Sequence, residues 1–213
     1  MTDEFLFGPE TEGPVRARIR GECYPHRQLW WVVLENLTEM LDEEPERFVP
    51  TGVSALLVTH SCLEGYLNFA GELLFGPQCW EELSFLRVSA KLALIARELS
   101  VDLDRSRRPL QTVMLLNKWR NRMMHGRIER YDEHVQFREA REVQNLAGKF
   151  FEEVTVEFVR RARHDVEELC DSLQAAGHEK DPSTFLGPGA FQGILGQAGG
   201  TLLRDAPGDE AER

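Results

Sequence analysis

Cysteine is scarce in this chain, and none is arranged for chemistry. The four are Cys23, Cys62, Cys79 and Cys170; no two form a Cys-x-x-Cys pair, and none is spaced with histidines as a zinc site requires. They read as reduced thiols, and the expectation is a cytoplasmic protein with no bound metal or cofactor. No apolar run reaches the roughly 18 residues needed to span a bilayer, which argues against a membrane-spanning helix. The opening MTDEFLFGPE is acidic and lacks the basic, apolar pattern of a signal peptide. No Gly-x-Gly-x-x-Gly, Walker loop, His-Glu-x-x-His or Gly-x-Ser-x-Gly string occurs, so dinucleotide binding, P-loop hydrolysis, zincin and nucleophile-elbow chemistries have no sequence support. Positive charge is also in deficit: 25 Lys and Arg stand against 36 Asp and Glu, a net charge of −11. Such a chain is not a general nucleic-acid binder and needs a local basic patch for any such role. That is physically available, because charges more than about 8 Å apart at physiological salt act almost independently. No internal repeat is present.

What the chain does have is helical periodicity. Hydrophobic residues make up 42% of the 213 residues and charged ones 29%, enough for a core in one soluble domain with appendages. Residues 1–25, punctuated by Pro9, Gly13, Pro14 and Gly21, read as an irregular arm. Arg16, Arg18 and Arg20 alternate with apolar residues as a short strand would, but a solvated lead-in is the simpler reading. Leu29, Trp30, Val33, Leu37, Met40 and Leu41 predict a helix over 26–44, ended by Pro45 and Pro50. A second helix is expected over 51–75 with Thr51 as N-cap, and a third over 79–99 after the Gly76-Pro77 breaker. Residues 100–108 read as a loop. A fourth helix opens at Pro109 and closes before Gly126. Residues 127–138 suggest a short hairpin or extended loop. A fifth helix is expected over 143–176, ended by Gly177. The remainder, 177–213, is rich in glycine and reads as a flexible tail whose few apolar residues, among them Phe185 and Phe191, have the option of docking on the body. The predicted fold is all-α: an antiparallel bundle of about five helices over 26–176.

The stretch TVMLLNKWRNRMMHG, 112–126, is the place where an imidazole, fixed cations and an amide crowd together. Between 105 and 130 the basic residues are Arg105, Arg107, Arg108, Lys118, Arg120, Arg122, Arg127 and Arg130, and Glu129 is the sole acid. His125 sits at the end of its helix, where the negative end of the helix dipole favours the protonated imidazole, which suits a general acid–base residue; the same dipole repels phosphate, and the local cations can outweigh it. Arg120 and His125 are five residues apart, roughly 140° around a straight helix, whereas Asn121 and His125 share a face. Bringing the arginine to a histidine therefore calls for a deformed helix or a second copy of the chain. On the second helix His60 pairs with Glu64, and Glu64 with Asn68, at four-residue steps; a buried acid–amide pair at this spacing is able to hold a site in place, and the alternative is an ordinary satisfied polar seam.

The string Arg120-Asn121-x-x-x-His125-Gly126 resembles the R-x4-H signature of HEPN domains, which carry a polar residue after the arginine. The segment SCLEGYLN, 61–68, resembles the second helix of that group, where a glutamate and an asparagine recur, here Glu64 and Asn68. The run from Leu83 to Leu94 with Lys91 is similar too, so the resemblance covers about 50–176. It implies a helical bundle that forms a homodimer with both motifs facing one cleft, and metal-independent cleavage of RNA. In that reading Arg120, Asn121 and His125 are catalytic: His125 is the acid or base, Arg120 holds the scissile phosphate, and Asn121 orients one of them. Lys118, Arg122 and Arg127 bind substrate, while Glu64 and Asn68 support the site. The family also implies toxin or anti-phage effectors restrained by an antitoxin or regulatory protein. In one branch a modified tyrosine stands two positions after the histidine; here that position is Arg127. The alternative implied by the same resemblance is a non-catalytic interaction or sensor module, in which the cluster is structural.

Overall fold

The computed structural model describes residues 16–43, 48–125, 154–187, 189–192 and 196–203. They fall into two compact units, Tyr24–Leu195 and a second formed by Met1–Cys23 with Gly196–Arg213. In the second unit β1 (Arg16–Cys23) pairs antiparallel with β2 (Gly196–Leu203), in a register that sets Arg16 opposite Leu203 and Cys23 opposite Gly196. An irregular arm and a flexible tail were expected here. The strand is invisible locally because β2, GQAGGTLL, has no alternation and its pairing partner lies far away in sequence.

The other unit is the all-α bundle expected from periodicity. Its first helical run comprises α1 (Pro25–Gln28), a π-helical segment (Leu29–Leu34) and α2 (Glu35–Glu43). Then come α3 (Phe48–Phe75), α4 (Pro77–Leu83), α5 (Val88–Glu98), α6 (Leu110–His125) and α7 (Val156–Lys180). α3 is the axis of the bundle and touches every other helical segment of the unit. Its sequence explains this. Ala55, Leu56, Thr59, Cys62, Leu63, Tyr66, Leu67 and Ala70 are buried along one broad face, and the partly buried Val53, Leu57, Val58 and Phe69 carry apolar contact onto the other faces, as a helix with neighbours on several sides requires. Burying each such leucine contributes about 1.5–3 kcal/mol. Glycine permits the closest approaches: a Cβ on Gly65 would lie 2.9 Å from His26 Cβ of α1, and one on Gly71 would lie 2.2 Å from the Trp80 ring of α4.

Several boundaries differ from the sequence expectation. α3 begins at Phe48, with Pro50 in its first turn, where a missing N–H costs nothing. The expected third helix is two, α4 and α5, because the chain turns at Ser84: its hydroxyl donates to the Glu81 carbonyl (2.8 Å), and Arg87 is extended. α7 starts later than expected, behind Thr155, whose hydroxyl caps the Phe158 N–H (3.1 Å). It also runs past Gly177, because that glycine sits mid-helix where a Cβ would lie 2.5 Å from the Phe185 ring. The expected hairpin at 127–138, and residues 143–153 of the expected fifth helix, lie outside the described residues.

The segment after α7 is docked on the helices, not loose. Phe185, Ala190 and Phe191 are buried. Phe191 stacks on Trp30 with ring centroids 4.0 Å apart, and its carbonyl accepts from Trp31 Nε1 at 2.6 Å. Arg27 Nε donates to the Ala190 carbonyl (3.2 Å), and the Ala190 N–H donates to Asp171 Oδ1 (2.7 Å). These contacts enclose His26, which is 2% exposed; burial, then neighbouring Arg27, lowers its pKa from 6.5 to about 4, partly offset by the Ala190 carbonyl. Among the described residues no helix is long and apolar enough to cross a membrane.

Candidate functional site

α6 is amphipathic in the sense that matters here. Leu110, Val113, Leu116 and Trp119 are buried toward the bundle. The Pro109 carbonyl accepts the Val113 N–H at 3.2 Å, so the proline sits where its missing donor is not needed. Asn117, Arg120, Asn121 and His125 recur at three- and four-residue steps and line a cavity of about 530 Å³. Its opposite wall comes from α3, through His60 and Glu64, and a third side from the turn between α4 and α5, through Phe85 and Arg87. α6 is α-helical throughout Leu110–His125, and Arg120 and His125 still line one cavity; neither a deformed helix nor a second copy is required for that.

The polar groups are held by short contacts. Arg120 Nη1 donates to Asn121 Oδ1 at 3.1 Å. His60 Nε2 lies 3.1 Å from Asn117 Oδ1; since that oxygen only accepts, Nε2 carries the proton. His60 is 2% exposed, and burial lowers its pKa; the Asn117 bond opposes this, Arg120 adds to it, and Glu64 opposes it. Behind the wall, Lys91 of α5 is 1% exposed and donates to Glu64 Oε1 (3.2 Å) and Asn68 Oδ1 (2.8 Å). Glu64 and Asn68, four residues apart on α3, are thus clamped by one buried ammonium, and Glu64 presents its carboxylate at the cavity edge. Asn68 supports the site only through Lys91.

The remaining candidates separate. Lys118 lines a different cavity of about 820 Å³, together with Arg108 and Arg161, and meets the first only through the shared Asn117 and Asn121. Arg122 lines neither of these two cavities. Arg127 lies outside the described residues. The sequence pairs His60 with Glu64 but marks neither His60 nor Asn117 as a site member. The signal for Asn117 was its place one turn before Asn121, and for His60 its place one turn before Glu64. Nothing local marked Phe85, which is 81% exposed beside the cavity.

Among the described residues, the grouping able to hold a metal ion is His164, Asp165 and Glu168 of α7, and none of them lines the 530 Å³ cavity. Asp165 is already engaged by Arg108, whose Nε donates to Oδ2 at 2.8 Å. Comparison with protein-family models, curated proteins and solved structures finds no match.

Proposed function

We propose that this chain is a metal-independent endoribonuclease of HEPN type. The observation that carries the reading is the convergence of Arg120, Asn121 and His125 with His60 and Glu64 around one cavity of about 530 Å³. Cleavage by 2′-OH attack needs a proton acceptor, a proton donor and a cation for the developing phosphorane charge. Imidazoles and a guanidinium line the same space, so the required chemical types are adjacent. Arg120 binds the scissile phosphate, steadied by its 3.1 Å bond to Asn121. His125 moves a proton at an oxygen of the reacting phosphodiester. The products carry a 2′,3′-cyclic phosphate. Arg87, another cation on the cavity wall, favours a polyanion in an otherwise acidic chain. On this proposal the protein acts in the cytoplasm as a homodimer and a toxin or anti-phage effector, restrained by an antitoxin or regulatory protein. Incubating purified protein with RNA in excess EDTA tests it; loss of cleavage on His125→Ala is the expected result.

A second reading, a non-catalytic interaction or sensor module, is favoured by the pairing of polar groups with one another: Arg120 with Asn121, His60 with Asn117, and Lys91 with Glu64 and Asn68. It requires that His125→Ala changes thermal stability and leaves every RNA profile untouched.

A further inference from the structure

We infer that His60 of α3 is the general base of this site and His125 of α6 its general acid, so that one chain carries both proton-transfer groups. The inference rests on the endoribonuclease reading and deepens it. The R-x4-H string supplies one imidazole per chain, yet 2′-OH attack moves two protons at two different oxygens. The cavity holds a second imidazole that the string does not contain.

The placement of His60 suits a base. Asn117 Oδ1 takes the Nε2 proton at 3.1 Å, which leaves Nδ1 as the unprotonated nitrogen in the neutral ring. The ring stays neutral at pH 7 because burial disfavours its charged form, assisted by Arg120 across the cavity. The charged and titratable groups around it are Glu64 on its own helix, Arg120 and His125 on α6, and Arg87 at the start of α5. Lys91, also on α5, reaches it only through Glu64, whose carboxylate it clamps. The polar environment therefore tilts His60 towards accepting, not donating, a proton. His125 is exposed at the far end of α6 from Asn117 and has solvent from which to be recharged.

The step balances within the substrate and these two rings. The 2′-OH proton passes to His60 Nδ1, and the freed oxygen forms a bond to phosphorus. The bond from phosphorus to the 5′ oxygen breaks, and that oxygen takes a proton from His125. Arg120 faces the phosphate charge that builds between the two events. Water then returns the proton lost by His125 and removes the one gained by His60.

A substrate with sulfur in place of the 5′ bridging oxygen separates the two roles, because a thiolate leaves without protonation. With the full chain in EDTA, His125→Ala should lose at least about 100-fold on ordinary RNA and recover most of that loss on the sulfur substrate. His60→Gln should lose at least about 100-fold on both. Glutamine keeps an N–H donor for Asn117 but offers no base, so a purely structural His60 would tolerate it. His60→Gln cleaving ordinary RNA as fast as the parent, or recovering on the sulfur substrate, overturns the assignment while the endoribonuclease reading stands. A parent that cleaves neither substrate overturns the reading itself. If His60→Gln loses its cooperative melting transition, the parent's kcat/KM profile decides. On the sulfur substrate the acid limb should remain below pH 6.5 and the alkaline limb should vanish; a profile without an acid limb contradicts a neutral histidine base.

Discussion

Lys91→Met probes the clamp behind the site. Methionine keeps most of the apolar stem and removes the ammonium, so the change isolates the charge. In the parent that ammonium is 1% exposed and lies 3.2 Å from Glu64 Oε1 and 2.8 Å from Asn68 Oδ1. Removing one member of a fully buried ion pair costs about 3–5 kcal/mol, because the other charge is stranded. Here the Glu64 side chain keeps 35% of its exposure and regains water when freed. The expected loss is therefore nearer about 2 kcal/mol, or about 4–8 °C in Tm for a chain of this size. Glu64→Gln should interact with it: in Lys91→Met/Glu64→Gln no charge is stranded, and the double variant should be more stable than the two single losses imply. Thermal and urea unfolding of the four proteins measure the cycle. Losses that add to within about 0.3 kcal/mol would refute the clamp.

Other consequences are open to the same methods. His26 is held neutral, with a pKa lowered from 6.5 to about 4. Its contribution is present above pH 6.5 and lost as pH falls to about 4; at about 1.4 kcal/mol per pH unit the swing is about 3 kcal/mol. The stability gap between the parent and His26→Leu, followed by urea unfolding from pH 7 to pH 4, should change by that amount, and a constant gap contradicts it. Gly71→Ala places a methyl group where the Trp80 ring lies 2.2 Å away, and overpacking should cost about 1–3 kcal/mol in thermal melts. Arg108→Ala removes the guanidinium from the buried Asp165 carboxylate, which keeps Thr112 and His164 as partners, and should lower Tm at pH 7, an effect that shrinks as the pH is lowered enough to protonate the acid.

Most of the bundle was legible because the helices carry strong apolar periodicity, and α3 and α6 fall where it placed them. Where the reading failed, tertiary contacts decided. Gly177 looks like a helix terminator in isolation, yet Phe185 needs the space it leaves, and the helix runs on. The sequence leaves docking of the tail open because Phe185 and Phe191 stand among glycines; their partners, Gly177 and Trp30, lie on α7 and in the first helical run. The Arg120, Asn121 and His125 cluster was legible from residue types and spacing. The cavity around it was not, because His60 and Asn117 meet from different helices 57 residues apart. The helical-wheel angle between Arg120 and His125 pointed to a bent helix or a second chain; a cavity broad enough to be lined by both removes that need.

Metal-independent RNA cleavage is the central claim, and its most direct test is one assay with three proteins. Parent, Arg120→Ala and His125→Ala are incubated with RNA in excess EDTA, and the new ends are analysed. The account predicts cleavage by the parent with 2′,3′-cyclic phosphate ends, and a loss of at least about 100-fold in each variant. No cleavage by the parent, or variants that cleave as fast as it does, would contradict it.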